Sequence, residues 1–256
     1  MKPLIQRTDE IVASLRYLKS IIPKGSVVNS YFFYSGALEF GLCSDGRFVA
    51  ANTNSQVVKQ LWDCMINNPK LLHQILSSNL LNVVNDRMFY LLQETWSTYP
   101  DPYIRSALFL FLSNCSSKGL PSSGEVTKLN IDPFTLTRLK NFKISNFHLE
   151  CKNFDYKNLS QSINQSSGTD FFLFPVGKFS FNFFDDSAGS PELAAIDHKE
   201  LNEVISKLKN KKFILIYKNN RQVLSYYKGY NISMVDKYGN KTNKKENCEE
   251  IIVTNF

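Results

Sequence analysis

Segments that read as strands alternate with segments at helical spacing along much of this chain, and that order constrains its fold more than any other feature. Residues 9–22, DEIVASLRYLKSII, set apolar side chains at helical spacing, and Pro23-Lys24-Gly25 stops the helix. The stretch VVNSYFFYSGALEFGL (27–42) begins as a buried strand and passes through Ser35-Gly36 into a second apolar segment. Asp45-Gly46 marks a turn, RFVAANT (47–53) reads as the next strand, and helical spacing returns after Ser55, with Pro69 suited to the first turn of a further helix. Strand–helix–strand–helix order argues for a parallel, doubly wound α/β sheet.

From about 63 to 135 the pattern is mainly helical, with turns at Tyr99-Pro100-Asp101-Pro102 and Leu120-Pro121-Ser122-Ser123-Gly124, and it reads as an insertion. The expected division is therefore an α/β domain over 1–62 and 136–256, with a small helical insertion over 63–135. In the second half, ISNFHLEC (144–151) reads as a strand, DYKNLSQSI as a short helix and DFFLFPV as a buried strand. Then come AIDHKELNEVISKLKN (195–210) as a helix, KKFILIYKNN (211–220) as a strand, and YNISMVDKYGN with EEIIVTNF (249–256) as a closing β-hairpin. The run DFFLFPVGKF poses the functional question. It ends as a buried strand ends when its tip opens onto a ligand crevice, yet the tip carries no acid, base or nucleophile.

The 256 residues, 43% hydrophobic and 21% charged, suffice to bury a full core. The formal net charge of +7 is unevenly placed. Between Lys207 and Lys245 there are ten Lys and one Arg against the single acid Asp236, so that segment carries about +10 and the remainder about −3. Such a stretch is either a solvated face or a surface for phosphates and acidic partners. The cysteines Cys43, Cys64, Cys115, Cys151 and Cys248 show no paired spacing and no His in register, which argues against a metal site and a disulfide framework. With no signal peptide and no apolar run near 18 residues, the expectation is a cytoplasmic or host-cell location without secretion or membrane contact. Abundant Lys, Asn, Ile, Phe and Tyr suggest an AT-rich genome, such as a viral one.

The order and wording of these segments resemble the Dam-class DNA adenine methyltransferases, which methylate the exocyclic amino group of adenine with S-adenosylmethionine. AIDHKELNEVISKLKNKKFILIYKNN is similar to that family's Asp-His helix with the following strand and Asn-rich turn. EEIIVTNF is similar to its final strand, ALFLFLSNCSSKGLPSSGEV (107–126) to the segment around its target-recognition hairpin, and SQVVKQLWDCMINNP to the helix after its cofactor-binding strand. The resemblance implies a Rossmann-like methyltransferase fold with a mixed seven-stranded sheet and a C-terminal β-hairpin.

It also implies sites that this chain lacks. The stretch matching the family's Gly-Gly-Lys segment is Gln6-Arg7-Thr8-Asp9-Glu10. The glycine-rich turn after the first strand, where glycines admit a close cofactor and a positive φ, is matched by Ser30-Tyr31-Phe32-Phe33-Tyr34-Ser35-Gly36, with Gly36 alone retained. The acid for the ribose hydroxyls is matched by Asn52, and the Asp that reads the cofactor's adenine by Asn153, in Lys152-Asn153-Phe154. An amide brings no charge to either bond. The catalytic Asp-Pro-Pro-Tyr turn, whose carboxylate accepts the amino hydrogens and whose ring stacks on the extruded base, is matched by Phe174-Pro175-Val176-Gly177. Loss of one such polar group costs roughly 3–4 kcal/mol of transition-state stabilisation. Phe179 or Phe181 could supply a stacking ring. Asp185-Asp186 reads as a solvated turn and Asp197-His198 as a helix cap.

The expectation is a catalytically inactive relative that serves as a binding or scaffold module, in a DNA-associated or viral assembly or beside an active methyltransferase subunit. Lys209, Lys211, Lys212, Lys218, Arg221 and Lys228 are then the candidate DNA contacts, with salt-sensitive, largely sequence-independent binding. Lys118, Lys128, Arg105 and Arg138 stand in the target-recognition region, either as base readers or as ordinary surface charges. On this reading no cofactor is bound. The alternatives are a divergent active enzyme, which would use S-adenosylmethionine, and a structural subunit that binds no nucleic acid.

Overall fold

The structure is a computed structural model that describes residues 4–5, 11–78, 81, 83–152, 156–177, 196–208 and 210–256. Among these residues a mixed eight-stranded sheet is flanked by ten α-helices. The strands are β1 (Val27–Ser30), β2 (Phe48–Thr53), β3 (Phe147–Cys151), β4 (Phe171–Gly177), β5 (Lys212–Lys218), β6 (Asn231–Val235), β7 (Lys241–Thr242) and β8 (Glu250–Thr254). Their spatial order is β3-β2-β1-β4-β5-β8-β6-β7. The first five run parallel, whereas β8 lies antiparallel between β5 and β6.

Strand burial follows from side-chain content. Phe171 to Phe174 and Phe213 to Tyr217 are buried at every position, as expected of parallel strands covered on both faces. All five residues of β8 are buried as well. The closing hairpin expected from the sequence is thus a central strand: β6 and β8 do pair, but β8 is wedged beside β5.

The strand count of seven is corrected to eight. The extra strand arises because the Asp236 carboxylate accepts the amides of Tyr238 and Asn240, both at 2.9 Å, and closes a tight turn with Gly239 at φ 79°. That turn folds Lys241–Thr242 back onto Met234 and Val235.

The helices are α1 (Leu15–Ile21), α2 (Ala37–Cys43), α3 (Gln56–Asn67), α4 (Pro69–Leu76), α5 (Asp86–Thr95), α6 (Pro102–Cys115), α7 (Pro133–Lys140), α8 (Tyr156–Gln165), α9 (His198–Ser206) and α10 (Arg221–Tyr226). Side-chain oxygens of Ser55, Asn68, Asn85, Asp101, Asp132, Asp197 and Asn220 cap seven of their amino ends. Helix α6 is buried along most of its length and packs on α3 and α4, so the helical segment and the sheet share one apolar core.

Helix α1 begins later than its apolar spacing predicts, because a distant carboxylate takes the amides that precede it. Glu250, fully buried on β8, accepts from the amides of Val12 (2.9 Å), Ala13 (3.2 Å) and Ser14 (2.7 Å) and from the Ser14 hydroxyl (2.6 Å). At the other end buried Arg47 donates to the carbonyls of Lys19 and Ile22 and pairs with Asp45. An acid at the amino end and a cation at the carboxyl end both match the helix dipole.

Candidate functional site

In open α/β sheets a ligand crevice forms at the carboxyl ends of the strands, where strand order reverses. Here that switch point lies between β1 and β4, so the residues that matter follow Ser30 and Leu173.

The chain leaving β1 remains stitched to both neighbours. Tyr31 donates its amide to the Leu173 carbonyl at 2.8 Å, and Phe33 donates to the Asn52 carbonyl at 2.9 Å. Between them Phe32 adopts φ 64°, the left-handed region for which glycine is ordinarily chosen. The loop thus takes a glycine-like angle at a residue that carries a Cβ.

Its rings are buried. Tyr31 stacks on Phe174 with centroids 5.4 Å apart and planes 13° apart, and Phe32 tilts against the same ring at 5.9 Å. Phe33 turns to the other side, against Phe40, Trp62 and Phe147. The Tyr31 hydroxyl lies 3.1 Å from the Ser162 hydroxyl, and burial raises its pKa.

Gly36 has φ 71°, and a Cβ there would strike the Phe40 ring. The surviving glycine is therefore explained by internal packing. Ser35 is half-buried beside it.

Asn52 is buried and uses its amide inwardly: Nδ2 donates to Asn29 Oδ1 at 2.6 Å and to the Ser30 carbonyl at 3.1 Å. Asn29 in turn donates to Ser166 at 3.2 Å. The position matched to a ribose-binding acid thus holds β1 and β2 together. One residue beyond β2, Asn54 Oδ1 is buried and has no hydrogen-bond partner among the described residues. Asn153 lies outside the described residues, as do Gln6 to Glu10, Phe154, Phe179, Phe181, Asp185, Asp186 and Lys209.

The turn Phe174-Pro175-Val176-Gly177 ends β4 in an irregular tip. Register with β5 shifts between Pro175 and Gly177, a β-bulge at the strand tip, and Gly177 adopts φ 85°. Pro175 is tolerated in an inner strand because pairing with β1 ends at Leu173. Phe174 and Val176 are buried, so the turn offers apolar side chains where the resemblance would call for a carboxylate and a stacking ring.

Titratable chemistry near the turn lies on the next strand, and sequence reasoning passed over it. Tyr217 is paired beside Gly177, its hydroxyl is 3.2 Å from His198 Nδ1, and it is 2.9 Å from the Tyr227 hydroxyl. Asp197 caps α9 through the amides of Lys199 and Glu200. Glu39 was missed too. It is buried on α2 and accepts from Ser30 Oγ at 2.7 Å, and burial raises its pKa. The thiols are poor nucleophile candidates: burial first, then Glu39, pushes Cys43 up to about 12, and burial pushes Cys115 up to about 11.

The basic residues do not converge. Lys211 precedes β5 and Lys212 opens it, whereas Lys218 ends it and Arg221 opens α10, so the strand separates the two pairs by roughly 20 Å. Lys211 donates to the Ser166 carbonyl at 3.3 Å, and Lys212 sits 5.2 Å from the Phe171 ring centroid. Lys218 pairs with Glu249 at 3.0 Å and Glu250 at 3.2 Å; desolvation lowers its pKa, but the two carboxylates outweigh it and the net shift is upward. Arg221 and Lys228 are exposed.

In the helical segment Arg105 is engaged by Gln60 at 2.6 Å and the Tyr99 carbonyl at 3.1 Å. Residues 116–126 form a short hairpin pinned by Gln93 and Trp96, on which Lys118 is exposed, as is nearby Lys128. Among the described residues no His, Cys, Asp and Glu cluster could hold a metal ion, and no helix is long and apolar enough to cross a membrane.

No protein-family model matches the chain, and no curated protein sequence matches it.

Proposed function

We propose that this chain is a methyltransferase-like binding or scaffold module that has lost methyl transfer. One observation carries this reading. At the switch point the tip of β4 presents the Phe174 ring stacked on Tyr31, while Asn52 turns its amide onto Asn29 and Ser30. A cofactor that needs backbone clearance and a carboxylate there would meet rings and a committed amide. The bulge at Pro175–Gly177 and the positive φ of Phe32 are the kind of backbone irregularity that clusters at functional sites, which supports descent from a working site.

Isothermal titration with S-adenosylmethionine tests the loss. Silence at millimolar concentration is expected, with no transfer of labelled methyl groups into DNA. Micromolar binding would revive the active-enzyme reading.

For a partner we favour DNA, met by Arg221 and Lys228, which follow the carboxyl end of β5. Two phosphate contacts give a salt slope of roughly −2 in log–log form. Reversing both charges should release DNA, whereas Lys212→Glu, at the far end of β5, should leave it bound. Failure to retain DNA at low salt, with a protein co-purifying instead, would select the structural-subunit reading.

A further inference from the structure

A cavity of about 280 Å³ lies between the start of α2 and the segment 137–144. Its walls are aromatic. Phe40 meets Trp62 at 4.6 Å and Phe142 at 5.5 Å between centroids, in edge-on arrangements. Its polar rim includes Ser35, Ser44, Thr137 and Asn141, and its charged groups are Arg138 and Lys143. Among the described residues no acid lines it.

Arg138 is the informative group. It is half-buried on α7, and among the described residues no ion pair or hydrogen bond holds it. Burial lowers its pKa, and the longer-range charge of Asp132 does not offset that effect. A partly desolvated guanidinium without an acceptor is costly to the free protein, and it offers two parallel donors to a planar oxyanion. Aromatic walls with a few convergent polar groups are the usual composition of a small-molecule site, and the volume suits a compact ligand.

We infer that this cavity binds a small organic anion, with a flat apolar body against Phe40, Trp62 and Phe142 and a carboxylate on Arg138. The site adjoins the loop after β1, whose Ser35 and Gly36 line it, but Tyr31, Asn52 and Phe174 to Gly177 do not. It therefore stands whether or not methyl transfer has been lost.

The test titrates the protein with benzoate and indole-3-carboxylate, and with benzamide and indole-3-carboxamide as uncharged matches, by calorimetry and amide chemical-shift mapping. The carboxylates should bind at least about tenfold tighter than their amides. The Trp62 indole and the 137–144 amides should shift most. Arg138→Gln, which removes no hydrogen bond or ion pair among the described residues, should abolish the preference for charge, and Lys143→Gln should weaken it less. Equal binding of acids and amides would overturn the inference. So would silence of all four probes up to about 10 mM, a preference that survives Arg138→Gln, or shifts centred on Asn52 and Phe174.

Discussion

Truncating Phe32 separates the cost of its backbone angle from the value of its ring. At φ 64° a residue with a Cβ costs roughly 1–2 kcal/mol more than in the right-handed region. The ring is 6% exposed and packs on Phe174, so Phe32→Ala and Phe32→Gly both lose about 3–5 kcal/mol of burial. The two variants differ only in the Cβ. In ordinary backbone alanine is the more stable by about 0.5–1 kcal/mol. Here the order should invert, with Phe32→Gly ahead by about 0.5–1 kcal/mol. Urea unfolding reads this directly: with a slope near 3 kcal/mol/M, the glycine variant should unfold about 0.2–0.3 M later. Phe33, fully buried and without a positive φ, is the control, and there alanine should lead. If Phe32→Ala equals or exceeds Phe32→Gly in stability, the loop stores no strain, and the proposed descent from a glycine turn loses its physical basis.

Glu250→Gln should destabilise the fold by about 3–5 kcal/mol in urea titrations, because the amide group presents a donor to backbone donors and strips Lys218 of a buried partner. Asn52→Asp, which restores the acid that the resemblance calls for, should cost stability without conferring S-adenosylmethionine binding in calorimetry, since both groups it would face, Asn29 Oδ1 and the Ser30 carbonyl, are acceptors. The carboxyl of Glu39 is held above its ordinary 4.5 by burial, so the folded state retains a proton that the unfolded state has released. Its contribution is full below 4.5 and declines as pH rises through the carboxylate range. Glu39→Gln still accepts from Ser30, and its stability relative to the parent should therefore grow between pH 4 and neutrality in paired denaturation curves.

Local signals were faithful wherever burial was continuous. Phe171 to Val176 and Phe213 to Tyr217 read as inner strands because both faces of a parallel sheet are covered. The Asp197 cap was legible because capping is decided within four residues. Long-range choices were not. Nothing in EEIIVTNF says that its second glutamate will serve a helix more than 230 residues earlier, or that the strand will enter between β5 and β6. Helix α10 was hidden in a polar stretch with only Val223 buried. At the site, the scarcity of glycines was visible, but the angle that Phe32 adopts was not, nor that a Cβ at Gly36 would strike the Phe40 ring. The candidate basic residues divide for a reason the sequence did hold: Lys212 and Lys218 stand six residues apart in one extended strand, at its opposite ends.

The Glu250 anchor sets an order of events during synthesis. Helix α1 leaves the ribosome more than two hundred residues ahead of the carboxylate that seats it. Seven residues are too few to hold a helix in water unaided. Until β8 slots in, the amides of Val12, Ala13 and Ser14 lack their acceptor, and the segment is held by Arg47 and by the core packing of Leu18 and Ile22. Release of β8, by a nick or by force, would strip those three distant amides of their acceptor at the same moment.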